Sequence, residues 1–161
     1  MKTLVVYYSR TGTTRRLAHE LAEALGADIE ELKERTNREG AGGYMRASSD
    51  SLRRRPAELL PLTYNPADYD LVVVGGPCWT QTMCTPTRTY GVLEKENLKT
   101  VGFSSAAGGA TFARKAVDSM TDATGLTPIA TMALAQKEAE GEHSQSLAEF
   151  VATLRNAHQQ A

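Results

Sequence analysis

The sequence predicts an α/β fold, a three-layer doubly wound sandwich built on a five-stranded parallel sheet. Two observations predict it. Strand-like apolar runs alternate with helix-like stripes five times along the chain. The runs also differ in kind: three are continuous, as in strands covered on both faces, one alternates and one carries a proline, as at sheet edges. The length of 161 residues fits one domain, 1–161. A hydrophobic share of 41%, a charged share of 23% and a net charge of −1 are ordinary for a globular chain.

Residues 3–8, TLVVYY, are nearly continuous and apolar, and read as a first, buried strand. From Thr14 the positions Leu17, Ala18, Leu21, Ala22 and Leu25 form one helical stripe, and Gly26 is placed to end it. In ADIEELKE, 27–34, Ile29 and Leu32 stand among polar neighbours, as in a half-exposed edge strand. DLVVVGG, 70–76, is a second buried run, and Pro86 suits the first turn of a helix reaching about Leu93. TVGFSS, 100–105, is the third. Phe112, Ala116, Val117 and Met120 make the next helical stripe. LTPIATMAL, 126–134, carries Pro128, which favours an edge. Leu147, Phe150, Val151 and Leu154 mark a last helix, and the polar tail AHQQA is expected to fray. The connection 34–69 is long; REGAGGYMRASSDSLRRRP reads as a glycine loop and one helix. Its Arg53-Arg54-Arg55 run reads first as a solvated face, although a loop of this length is often functional.

With strands one, three and four central and two and five at the edges, the sheet order is 2-1-3-4-5, which right-handed crossovers permit. The switch point then falls between strands one and three, and ligands bind there, outside the carboxyl ends of the strands. Composition removes other classes. Neither half of the chain is strongly basic, so a nucleic-acid footprint is not indicated. No apolar segment approaches membrane-spanning length, and the run in MKTLVVYYSR is too short for a secretion signal. Two cysteines without framework spacing point to a reducing, cytoplasmic setting.

Three loops at the carboxyl ends carry chemistry. The first, Ser9-Arg10-Thr11-Gly12-Thr13-Thr14, runs from a strand into a helix start, where unpaired N–H groups and the positive dipole end favour an anion. Four hydroxyls exceed what an N-cap needs, and Gly12 lets backbone approach closely. Arg15 and Arg16 in the first turn oppose the dipole, which a bound anion or an outward turn of the side chains would relieve. The second loop, G75-G-P-C-W-T-Q-T-M-C-T-P86, holds the lone Trp79, which either stacks on a flat ligand or fills the core beneath. The third, S104-S-A-A-G-G109, is small and uncharged: a glycine-rich turn, or a backbone edge for a ligand. No Gly-Lys-Ser/Thr, GxGxxG or G-x-S-x-G occurs, and neither cysteine heads a tyrosine-phosphatase loop. His19, His143 and His158 do not cluster, so no metal is expected and no side chain is assigned a catalytic role.

The first stretch resembles the flavodoxin phosphate-loop signature: Val5, Val6, Tyr7, Ser9, Gly12, Thr14, Ala18 and Leu21 match its eight defined positions. The second loop is similar to the flavin-flanking loop of that superfamily in its GxPxW form, Gly75 to Trp79. The resemblance implies a flavodoxin-like fold and FMN binding. Ser9, Arg10, Thr11, Gly12, Thr13 and Thr14 would hold the 5′-phosphate. Pro77, Cys78, Trp79 and Thr80 would line the isoalloxazine ring, with Ser105, Ala106, Gly108 and Gly109 on its other side.

Flavodoxins proper ring the flavin with acids and place a glycine beside it. Here residues 75–93 hold no Asp or Glu, 104–113 hold no charge before Arg114, and Thr80-Gln81 follow Trp79. The chain is closer to flavodoxin-like oxidoreductases that take hydride from NAD(P)H and reduce quinones or similar small-molecule acceptors. Arg46 or Arg53 would then meet a nicotinamide-cofactor phosphate. An electron-transfer flavodoxin serving a redox protein, and a flavin-free interaction module, are the alternatives. Cys78 and Cys84 share a loop, either as a redox pair or as small lining residues. The oligomeric state stays open; a homodimer would follow if the long crossover covered a neighbour's flavin.

Overall fold

A computed structural model describes the backbone of residues 1–160 and the side-chain surroundings of residues 1–157. The sheet is the expected one with one addition. Strands β1 (Thr3–Tyr7), β2 (Asp28–Glu31), β3 (Leu71–Trp79), β5 (Val101–Ala107) and β6 (Ala130–Ala135) are parallel in the order β2-β1-β3-β5-β6. The two-residue strand β4 (Thr82–Met83) lies antiparallel on the end of β3. Without β4 this is the order 2-1-3-4-5, with the edges at the alternating run around Ile29 and the run that follows Pro128. Val5 sits between Ile29 and Val73 in register, at the centre of the switch.

Strand alternation divides the core. Leu4, Val6, Val72 and Val74 face one way, and meet Ala116, Val117 and Met120 of α4 (Ala110–Thr124) and Tyr90 of α3 (Thr85–Glu94). Ala47 of α2 (Gly40–Leu52) joins that side. Val5, Tyr7, Leu71 and Val73 face the other way, onto Leu17, Ala18 and Leu21 of α1 (Thr13–Leu25). That second side is completed by Phe150, Val151 and Leu154 of α6 (Ser144–Gln160). A short helix, α5 (Gln136–Glu140), joins β6 to α6 and was not expected from the sequence. The tail AHQQA continues α6 through Gln160; the side chains of 158–160 and all of Ala161 lie outside the described residues, and the expected fraying falls on them.

Local chemistry accounts for most boundaries. Gly26 ends α1 at φ 63° and takes the capping bonds from its amide to Ala22 and Glu23 carbonyls. Pro86 occupies the first turn of α3. Three expectations are corrected. The glycine loop of the long crossover is the first turn of α2. There Gly43 lies against the Arg38 backbone so closely that a Cβ would meet its carbonyl carbon at 2.0 Å. The arginine triplet is exposed as expected but follows α2, with Arg53 as its C-cap, and so forms no helical face. Phe112 is 46% exposed. The buried stripe of α4 runs through Ala113, Ala116, Val117, Met120 and Thr124, one residue round from it.

Candidate functional site

The loops after β1, β3 and β5 enclose a cleft of about 310 Å³, lined by Ser9, Arg10, Thr11, Thr13, Thr14, Tyr44, Pro77, Cys78, Trp79, Ala106, Ala107, Gly108 and Gln136. That volume is at the small end of the range for ligand pockets. It opens where the sheet order reverses, as strand topology requires.

One end of the cleft is built from the start of α1. Gly12 is the N-cap, at φ 107°, a conformation that a side chain would oppose, and no side chain caps the helix. The first N–H groups of α1 are therefore left for another acceptor. Ser9 Oγ accepts from the Gly12 amide at 3.0 Å, which bends the loop back and leaves the hydroxyl proton free to donate. Thr14 is buried, and Thr13 donates to Glu140 at 3.1 Å. The two arginines of the first turn have partners of their own. Arg15 pairs with Glu31, and Arg16 donates to the Ala139 carbonyl and faces Glu20 at 3.8 Å. Neither needs an anion at the helix start, nor points simply into water.

The opposite end is uncharged. Pro77, Cys78, Ala106, Ala107 and Gly108 form its walls. Trp79 reaches the cleft, but only 8% of it is exposed. Its ring stands edge-on to Tyr8 at 5.5 Å, and the Arg38 guanidinium lies over it at 5.1 Å. The core-filling reading of Trp79 is thus the better description. The aromatic surface that the cleft does offer is Tyr44, 58% exposed, with Arg10 over its ring at 5.6 Å. Sequence reasoning missed Tyr44, Ala107 and Gln136. An aromatic side chain inside a glycine-rich stretch was the available signal for Tyr44.

Other predicted residues fall outside the cleft lining. Thr80 and Gln81 make the two-residue turn between β3 and β4, at φ 53° and 63°. Ser105 is 3% exposed and turns its unpartnered Oγ inward; with Ser104 and Ala106 it lines a small internal void between β1, β5 and α1. Gly109 is the N-cap of α4. Cys78 is half-buried and its thiol is pushed up by burial. Cys84 is fully buried, donates to Thr87 Oγ1 at 3.1 Å, and is pushed up to about 12 by burial. The two thiols are free, and only Cys78 reaches the cleft. Arg46 and Arg53 are exposed on α2 and at its end. Among the described residues no three His, Cys, Asp or Glu side chains converge, and no helix is long and apolar enough to cross a membrane.

Residues 2–127 match the family described as Flavodoxin. No curated protein matches the chain. Solved structures share the fold at low identity. A flavoprotein from Lactobacillus acidophilus NCFM, solved in complex with FMN, is 23% identical over 86% of this chain and 96% of its own, with a TM-score of 0.67. A WrbA-like protein from Agrobacterium tumefaciens is 14% identical over 99% and 98%, with a TM-score of 0.63. The two-electron reduced flavodoxin of Megasphaera elsdenii is 21% identical over 98% of each chain, with a TM-score of 0.59.

Proposed function

The chain belongs to the flavodoxin family, and on that premise we propose that it binds FMN in this cleft and passes electrons from NAD(P)H to a quinone-like acceptor. The residues fit the cofactor. The uncapped start of α1, with Ser9, Thr11 and Thr14 beside it and Gly12 between them, suits a phosphate dianion, which charge-assisted hydrogen bonds hold more strongly than neutral ones. Pro77, Cys78, Ala106, Ala107 and Gly108 suit an apolar ring, and Tyr44 offers that ring a face. When bound, FMN supplies the hydride acceptance and electron release that no side chain here provides. The protein's own part is to orient the ring and to limit water at the uncharged end.

The observation that favours a small-molecule reductase over a shuttle is the absence of acid at the ring end. Residues 75–93 hold no Asp or Glu, so a basic redox protein has little to steer it. The runner-up, an electron-transfer flavodoxin for a protein partner, is separated by one titration. The protein is loaded with FMN, and NADPH is added without oxygen while the visible spectrum is followed. Direct two-electron bleaching, and steady NADPH oxidation once a quinone is added, are expected. Bound flavin that NADPH leaves oxidised would favour the shuttle. No flavin uptake would favour an interaction module.

A further inference from the structure

A second cavity, of about 380 Å³, adjoins the cleft at the first loop, where Ser9 and Arg10 line both. Arg15, in the first turn of α1, and Glu31, at the end of β2, border it on one side. The segment from Thr36 to Glu39, which leads into α2, borders it on the other. Tyr8, Leu32 and Leu60 are its apolar part. The charges that line it fall into two groups. Glu31 is paired with Arg15, and Glu34 and Asp50 hold Arg38. Arg10, Lys33 and Glu39 are exposed and form no ion pair among the described residues. Arg10 lies over the Tyr44 ring at 5.6 Å and has no acid to neutralise it. Glu39 is the N-cap residue of α2, yet its side chain caps nothing. Asn37 Oδ1 accepts from the Glu39 amide at 2.8 Å, which leaves the Asn37 side-chain NH2 group free to donate. A site for a bare anion would not carry Glu39, and a site for a cation would not carry Arg10 and Lys33.

We infer that this cavity takes the second phosphate and the adenosine of FAD, so that the dinucleotide is the preferred flavin; the assignment rests on the reading that a flavin mononucleotide unit sits in the cleft. With the first phosphate at the start of α1, a ligand that continues beyond it passes Ser9 and Arg10, the two residues that the cavities share. Arg10 there faces both phosphates, and Lys33 supplies a second cation for the outer one. A carboxylate free of other partners accepts from ribose hydroxyls, as an acid does in dinucleotide-binding folds, and Glu39 is such a carboxylate. The apolar part around Leu60 offers adenine a surface, and the Asn37 amide offers its ring nitrogens a donor. FMN ends in a monoester and reaches none of the groups beyond Arg10. A pyridine dinucleotide is the poorer occupant. Its nicotinamide must reach the flavin ring at the uncharged end of the cleft, whereas this cavity joins the cleft at the first loop.

The test uses the full chain freed of flavin. Calorimetry measures FMN and FAD on wild type, Lys33→Gln and Glu39→Gln. Wild type is expected to bind FAD at least about tenfold more tightly than FMN. Each variant is expected to lose about tenfold in FAD affinity, the size of one charge-assisted bond, and to bind FMN as wild type does. Both side chains are exposed, so both variants are expected to keep the wild-type melting temperature, and either decides alone if the other does not fold. FAD binding no tighter than FMN overturns the inference and leaves the FMN reading standing. A preference for FAD that survives both substitutions overturns the assignment to this cavity. An equal loss of FMN and FAD in the variants overturns it too, because the effect would then lie in the cleft. If neither flavin binds, the flavin reading itself falls and this inference falls with it.

Discussion

Thr80 and Gln81 hold φ of 53° and 63°, where an L side chain costs about 1 kcal/mol or more at each position. The turn is set by the short β3–β4 pairing, Trp79 against Thr82, which a two-residue connection with both residues left-handed closes. Thr80→Gly is therefore expected to stabilise the fold by about 1 kcal/mol, read as a higher urea midpoint at unchanged slope. A second residue-scale expectation separates the thiols. Cys84 is fully buried and pushed up to about 12, whereas Cys78 is half-buried and reaches the cleft. One equivalent of alkylating reagent is expected to react in the native state, at Cys78, with FMN slowing it; two fast equivalents would contradict the burial of Cys84. At this scale the sequence was most legible in the first loop, because Gly12 and the hydroxyls are local requirements of a helix start. It was least legible at Trp79, whose surroundings, Tyr8 and Arg38, come from two distant segments.

Among the elements, α2 is where local reading failed. Gly40, Gly42 and Gly43 argue against a helix by propensity, yet Gly43 is required by contact with the Arg38 backbone. Arg38 itself is buried between Glu34 and Asp50 and covers Trp79, a cluster that no spacing in the sequence announces. Its burial raises the value of intact pairing: removing one partner strands the others in a dry site. Arg38→Met is expected to destabilise the fold by about 3–5 kcal/mol in chemical denaturation, and an Arg38→Met, Glu34→Gln, Asp50→Asn variant by less. Equal losses in the two would show that the cluster acts by shape alone. The strands and the remaining long helices were readable, since their periodicity reports burial directly. β4 and α5 were not, being too short to show a period.

Across the whole molecule, His143 at the start of α6 and Glu20 on α1 bind the last helix to the first. The hydrogen bond to Glu20 raises the His143 pKa, outweighing burial. A group raised on folding contributes stability that is full below its unfolded value, near 6.5 for histidine, and is lost as pH rises through the folded value. Wild type is thus expected to melt above Glu20→Gln at pH 5.5 and to converge with it by pH 9; a constant gap would mean that the pair is not charged. The sequence by itself determined the parallel sheet, its order, its edges and the loops that meet at the switch point. These follow from hydrophobic period and from turn chemistry, which are properties of neighbouring residues. Only the tertiary structure decided that Trp79 packs on Tyr8 and under Arg38 while only its edge reaches the cleft, that Tyr44 faces the cleft, that Ser105 turns inward, and that Arg88 Nη2 is buried without a partner. Each of those depends on which distant side chain arrives to fill a volume or neutralise a charge, and that choice is made when the layers close.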